Sequence, residues 1–201
     1  MLKLYGNMKS GPCKKVRYAA EAVGIPYEWV ELDFAADTKT DEHLARHPAG
    51  KLPAMDDDGF VLFESDAICK YLARSRESAL YPRDLKSFAV VEQWLLFVSN
   101  HVGAAMNKVA YNRVLAPLMG REVDSNSLKE GLSFLDRFLP VVDARLGAVS
   151  YLAGELSLAD ISLLSVFDYA DAASVDLSGY EHLSRWLNEM RSQAFWKKFQ
   201  T

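Results

Sequence analysis

The sequence predicts an α/β domain followed by an all-helical domain, and three patterns carry that prediction. Residues 2–32 read strand, helix, strand, the length of a parallel pair with its crossover helix. Residues 50–72 read strand, tight turn, strand, helix. From Asp84 onward the apolar residues recur at helical spacing.

Composition narrows the class before any motif does. A chain of 201 residues can hold one large domain or two small ones. Hydrophobic residues make up 50% and charged residues 25%, ordinary values for a soluble globular protein. A net charge of -4 argues against a general nucleic-acid binder. No apolar run is long enough to span a bilayer, and MLKLYG lacks the basic-then-apolar layout of a signal peptide. Cys13 and Cys69 lie far apart in different elements, and free thiols without a secretion signal point to the cytoplasm. His43, His47, His101 and His182 show no metal-ligand spacing. His43 and His47 are four apart, but Pro48 ends a regular helix there, so no metal is expected.

In chain order, Leu2 to Tyr5 reads as a short strand and Gly6 to Gly11 as a loop. Pro12 suits a first helical turn, where its missing N–H costs nothing. Val16, Ala19, Ala20 and Val23 then recur on one face, with Lys14, Lys15 and Glu21 on the other. Gly24 is a natural stop, and Pro26 prevents continuation. Tyr27 to Leu32 is aromatic and β-branched enough for a strand. A polar loop, Phe34 to Thr40, leads to a short helix over Asp41 to His47. In the next stretch Pro53 interrupts a strand, because its ring cannot donate to a ladder. Asp56, Asp57, Asp58 and Gly59 are turn formers, and Phe60 to Phe63 makes an apolar strand. Glu64, Ser65 and Asp66 open a helix with Ile68, Tyr71 and Leu72 on its apolar face and Asp66, Lys70 and Arg74 toward solvent.

The predicted organisation is residues 1–76, a linker at 77–86, and a helical domain at 87–201. Asp84 can cap a long helix that stops before Pro117. A second runs from Ser125 to Leu146, with Leu128, Leu132, Leu135, Leu139 and Val142 on one face, Gly147 ending it and Pro140 kinking it. A third begins at Ser157. Ser157 and Asp160 are spaced as a capping-box variant, Leu156 and Ile161 as a hydrophobic staple. The following LLSVF is apolar nearly all round, so this helix should be buried. Leu183, Trp186, Leu187 and Met190 mark a fourth helix, and Phe195 to Phe199 a short terminal one.

The opening of the helix at Glu64 has chemical meaning by itself. A helix start offers unpaired N–H groups and the positive end of a dipole, a ready place for a carboxylate. A proline-marked strand edge beside it suits a small acidic molecule. The plainer reading is a β-hairpin followed by a helix that Ser65 caps.

Four motifs, in order along the chain, bear on that choice: Ser10-Gly11-Pro12-Cys13, His47-Pro48-Ala49-Gly50-Lys51-Leu52-Pro53-Ala54, Glu64-Ser65, and Ser157-Leu158-Ala159-Asp160. Together they resemble the cytosolic glutathione S-transferases, especially the serine-type (theta- and phi-like) classes and their bacterial relatives. The resemblance implies the glutathione transferase fold, a thioredoxin-like domain plus an all-α domain. It implies a cis bond before Pro53, with the backbone of Leu52 turned outward to pair with the cysteinyl part of glutathione as an added strand would. It implies that Glu64 and Ser65 hold the γ-glutamyl group, Ser65 the carboxylate and Glu64 the ammonium. Lys51, assisted by Lys39, then meets the glycine carboxylate. Ser10 matches the serine that faces the glutathione sulfur; otherwise it merely caps its helix.

The same resemblance implies an acceptor site for hydrophobic electrophiles with Met8, Met106, Asn107 and Tyr111 as walls, or else as helix-packing and dimer residues. It also implies a homodimer. Tyr5 reads as core or pocket wall, Cys13 as a buried helix residue, and His47, where the family carries asparagine, as a surface or capping residue. The expected activity is transfer of the glutathione thiolate to an electrophile, with glutathione as co-substrate. The alternatives are a non-catalytic glutathione- or protein-binding module on the same fold, and a glutathione-dependent peroxidase or reductase that uses Cys13.

Overall fold

The computed structural model describes residues 1–200. They fall into two compact units, Met1–Pro82 and a second that begins at Arg83. In the first unit, strand β1 (Leu2–Gly6), helix α1 (Gly11–Val23) and strand β2 (Glu28–Glu31) form the predicted crossover, and β1 and β2 pair in parallel with Leu4 opposite Trp29. Helix α2 (Asp41–Arg46) follows, then strands β3 (Ala54–Asp57) and β4 (Phe60–Phe63) and helix α3 (Ser65–Ser75). The sheet has four strands in the order β2-β1-β3-β4, with β3 antiparallel to both neighbours. This is the thioredoxin-like arrangement.

Local chemistry explains these elements. Helix α1 ends because Gly24 takes φ 72, a left-handed conformation that costs glycine nothing, and its amide closes on the carbonyls of Ala20 and Glu21. Val16, Ala19 and Ala20 are buried, as their spacing predicts. The polar face differs from expectation. Lys15 is buried, and its ammonium meets Asp66 Oδ1 at 2.7 Å, which joins α1 to α3 and removes Asp66 from the solvent face. A lysine can reach inward only where a carboxylate waits, since an unpaired buried ammonium is costly.

The hairpin also departs from the sequence reading. Asp56 and Asp57 stay in β3, opposite Val61 and Phe60, and the turn is Asp58 (φ 50) and Gly59 (φ 93) alone. Two left-handed residues match the twist of an antiparallel pair. Pro53 precedes β3, so it lies ahead of the strand and does not interrupt it. Both cysteines of the chain, Cys13 and Cys69, are free and buried, and both belong to this unit.

The second unit is helical. Helix α4 (Leu85–Phe97) starts at Asp84, whose carboxylate accepts from the Ser87 amide at 2.9 Å. It continues through a π-helical turn (Val98–Val102) into α5 (Gly103–Ala110), and through a second π turn (Tyr111–Leu115) into α6 (Ala116–Leu118). The run therefore passes Pro117, whose missing N–H falls just after the second π turn, where the regular hydrogen-bond ladder is already interrupted. Helix α7 (Ser125–Ala148) contains Pro140 without ending. Helix α8 (Leu158–Phe167) is buried on nearly every side, as its composition predicts. Helices α9 (Glu181–Ser192) and α10 (Ala194–Lys197) complete the unit, α10 starting one residue before Phe195 and stopping short of Phe199.

Candidate functional site

Register assembles the site. Tyr5 of β1 lies opposite Ala54 of β3, and Ala54 lies opposite Phe63 of β4. One step further along each strand come Gly6, Pro53 and Glu64. The loop after β1, the segment before β3 and the start of α3 therefore open at the same end of the sheet.

The loop after β1 is shaped by Asn7, which the sequence reading passed over. Its side chain donates to Leu32 O at 2.8 Å and accepts from the Lys9 amide at 2.9 Å, while its carbonyl accepts from the Ser10 amide at 2.9 Å. An asparagine just after a strand, bonding two residues ahead, is a recognisable Asx-turn signal. Gly6 must be glycine: a Cβ would lie 2.5 Å from the Trp29 ring and 2.8 Å from Cys13 Sγ. Ser10 occupies the N-cap position of α1, yet its side chain makes no capping bond. It is half-buried, and no acidic residue stands in the first turn of α1. Burial pushes the Cys13 thiol up, and hydrogen bonds from Ser10 and the Asn7 backbone offset that only in part. The thiol is fully enclosed and stays protonated, so Cys13 is not a poised nucleophile. Met8 is half-buried in the same loop. Tyr5 is core, and the Arg46 guanidinium lies over its ring at 4.1 Å.

Helix α2 and the segment after it form the second part. Thr40 caps α2 by accepting from the His43 amide at 3.2 Å. His47 ends the helix, with its amide on His43 O at 2.8 Å. The expectation of a surface position for His47 is corrected: the residue is buried, its ring 4.8 Å from that of Phe63. Burial is the first cause that lowers its pKa, with His43 and Lys51 adding and Glu64 opposing, so the ring is neutral. Gly50 turns the chain at φ 57, and a Cβ there would sit 2.7 Å from Thr38 O and 2.8 Å from Lys39 Nζ. The exposed Lys39 is thus brought against Gly50, and the exposed Lys51 follows that glycine in the chain. The Leu52–Pro53 bond is cis, and Leu52 lies just ahead of the ladder, which begins at Ala54.

The third part is the junction of β4 with α3. Glu64 is exposed at the N-cap position with φ 71 and ψ 113, a conformation that L side chains rarely adopt, and its side chain makes no capping bond. Strain of this kind survives only where the surrounding fold imposes it, and it concentrates at working sites. Ser65 is half-buried as the first residue of α3, so its amide is one of the donors that the helix leaves unpaired. The ensemble is two open helix starts, two exposed ammonium groups and one exposed carboxylate, suited to a small molecule with several carboxylates and one amine.

In the helical unit, Asn107 is exposed on α5, and Tyr111 is partly exposed with its hydroxyl accepting from Arg121 at 3.3 Å. Met106 is 2% exposed and is a core side chain in this structure.

Comparison with known proteins falls on both units. Residues 1–74 match the model of the glutathione S-transferase N-terminal domain, and residues 106–194 that of the C-terminal domain. Glutathione S-transferase 1 of Zea mays is 37% identical over 92% of this chain and 89% of its own length. The structure of glutathione S-transferase-I bound with lactoylglutathione is 36% identical, with a TM-score of 0.91 over 98% of this chain and 97% of that one. The structure of glutathione S-transferase I from mais with an atrazine glutathione conjugate is similar at 36% identity and a TM-score of 0.91, over 98% and 95% of the two chains.

Proposed function

The chain belongs to the glutathione S-transferase family, and on that premise we propose that it transfers the glutathione thiolate to hydrophobic electrophilic small molecules. The observation that carries the reading is the Ser10 hydroxyl, left free of capping at the open start of α1. A free thiol of pKa ~8.5 is only about 3% ionised at pH 7, and lowering it by about two units gives about 75% thiolate, for about 2.7 kcal/mol. Ser10 supplies part of that by donating to the sulfur, and the dipole of α1 supplies more. Ser10 is a donor and not the nucleophile.

The tripeptide is held by the rest of the site. Leu52 pairs with its cysteinyl backbone, next to Pro53 and ahead of the ladder. Ser65 and its amide take the γ-glutamyl carboxylate, Glu64 takes the ammonium, and Lys51 with Lys39 takes the glycine carboxylate. The geometry that supports these roles is the shared sheet end and the pair of lysines beside Gly50. For the electrophile, Met8 is the apolar group of the first unit, and Asn107 and Tyr111 are the accessible groups of the second. Met106, the remaining candidate, is enclosed in the core of the second unit.

The serine-type (theta- or phi-like) class rests on Ser10, while a bacterial source finds no support in a Zea mays relative. The domain limits 1–76, 77–86 and 87–201 lie close to the division near Pro82. A homodimer would cover β4, an edge strand that exposes Phe60, Val61 and Phe63. A cytoplasmic location agrees with free, buried Cys13 and Cys69. Among the described residues no helix is long and apolar enough to cross a membrane. Enclosure of Cys13 speaks against the peroxidase or reductase alternative.

The test is retention on immobilised glutathione followed by conjugation of chlorodinitrobenzene. Both should succeed. Absence of glutathione binding at millimolar concentration overturns the reading, and binding without conjugation leaves the non-catalytic module.

A further inference from the structure

Helix α2 is tied to the glutathione segment by one buried side chain. His43 is 1% exposed, and its Nε2 lies 2.8 Å from the carbonyl oxygen of Lys51. A carbonyl only accepts, so Nε2 carries the proton. The other ring nitrogen, Nδ1, is buried and has no hydrogen-bond partner in the structure. Leaving a buried acceptor unpaired is costly. The ring is thus held in an orientation that satisfies Lys51 and leaves its own second nitrogen unsatisfied.

The consequence lies in the peptide plane. The cis bond of this segment is Leu52–Pro53, so Lys51–Leu52 is trans. In a trans peptide the C=O and the following N–H point in opposite directions across one rigid plane. Fixing the Lys51 oxygen on His43 therefore fixes the Leu52 N–H on the far side, away from α2. A flip of that plane would turn the Leu52 N–H toward α2. Gly50, just before it, is the permissive residue of the segment, anchored by its amide on His47 O at 2.7 Å.

We propose that His43 is a positioning residue for glutathione: by donating from Nε2 to the Lys51 carbonyl, it aims the Leu52 N–H at the cysteinyl carbonyl of the tripeptide. The inference rests on the proposed role of Leu52 and adds the group that orients it. His43 itself touches no substrate.

Glutamine and methionine have similar length and shape, but only glutamine carries an N–H at the position of Nε2. Glutathione affinity is measured by calorimetry on wild type, His43→Gln and His43→Met, with the KM for chlorodinitrobenzene and the melting temperature alongside. Wild type binds, His43→Gln stays within about 2-fold of it, and His43→Met weakens glutathione about 3- to 10-fold, the scale of one net hydrogen bond. The KM for the electrophile should not move. Equal glutathione affinities of the two variants overturn the inference while leaving the site reading intact. Failure of wild type to bind glutathione overturns the site reading itself, and the inference with it. Should His43→Met not fold, the ¹⁵N shifts of His43 in wild type decide: an Nε2–H tautomer supports the inference, and an Nδ1–H tautomer overturns it.

Discussion

Ser10 and Ser157 stand at the same position of two helices and meet different fates. At α8, Ser157 is buried, and its amide and hydroxyl both donate to Asp160 Oδ2, at 3.0 and 2.8 Å. The other oxygen of Asp160 accepts from the Leu152 amide at 2.9 Å and from Trp186 Nε1 at 3.2 Å. At α1, Ser10 is half-buried, makes no capping bond, and has no acid in the turn below it. One helix start is closed by the protein's own carboxylate, the other left open. A satisfied cap contributes stability, while an unsatisfied one keeps its donors for a ligand anion.

The largest effect that would sharpen this contrast is Asp160→Ala. It strands Leu152 N–H, Ser157 N–H and the Trp186 indole in the interior, and should cost about 3 kcal/mol or more in urea unfolding. A cost below about 1 kcal/mol would mean that the closed start is ornamental. Ser10→Ala should do the reverse. It should slow kcat/KM by about 10- to 100-fold, the worth of a hydrogen bond to a charged sulfur, and raise the thiol pKa in the bound complex. Stability should move by less than about 0.5 kcal/mol, because no cap is lost. An unchanged ultraviolet thiolate titration would break the comparison at its open end.

A third variant tests strain at the other open start. Glu64→Gly should stabilise the fold by about 1 kcal/mol, since glycine adopts φ 71 freely, and at the same time raise the KM for glutathione. Gain in both stability and affinity would remove Glu64 from the γ-glutamyl role. The smallest effect concerns His47. Its folded pKa is depressed, first by burial, so the unfolded chain binds the proton more tightly. Its contribution to stability is present above about pH 6.5 and is lost as pH falls below that. Denaturant midpoints from pH 7 to 5 should drop further in wild type than in His47→Phe, which keeps a ring against Phe63. Parallel curves would reject it.

Sequence reached the elements through local rules that act within a turn or two: periodicity for α1 and α3, Gly24 for the end of α1, Ser157 with Asp160 for the start of α8. Residue pairs distant in sequence escaped it. Lys15 looks like a solvent residue until Asp66 is known to lie beside it, and His43 looks like an unremarkable helix residue until Lys51 folds onto its ring. Conformation without a compositional mark escaped as well. Glu64 holds positive φ with no glycine beside it to announce it, and the π turns of the α4 to α6 run carry no signal at all. The site roles of Ser10, Lys51, Glu64 and Ser65 came from family resemblance, because spacing alone allowed a plain hairpin.

The placement of the cysteines has a practical use. Cys13 in α1 and Cys69 in α3 are both enclosed, and the helical unit contains none. A thiol reagent can therefore react only when the first unit opens, so its rate of consumption is a clock for that unit alone. Burial drives the Cys69 thiol up to about 12, so the folded form stays silent at neutral pH. Run with and without S-methylglutathione, whose blocked sulfur cannot consume the reagent, the clock should slow in proportion to occupancy. It would report ligand binding with no label, no chromophore and no turnover.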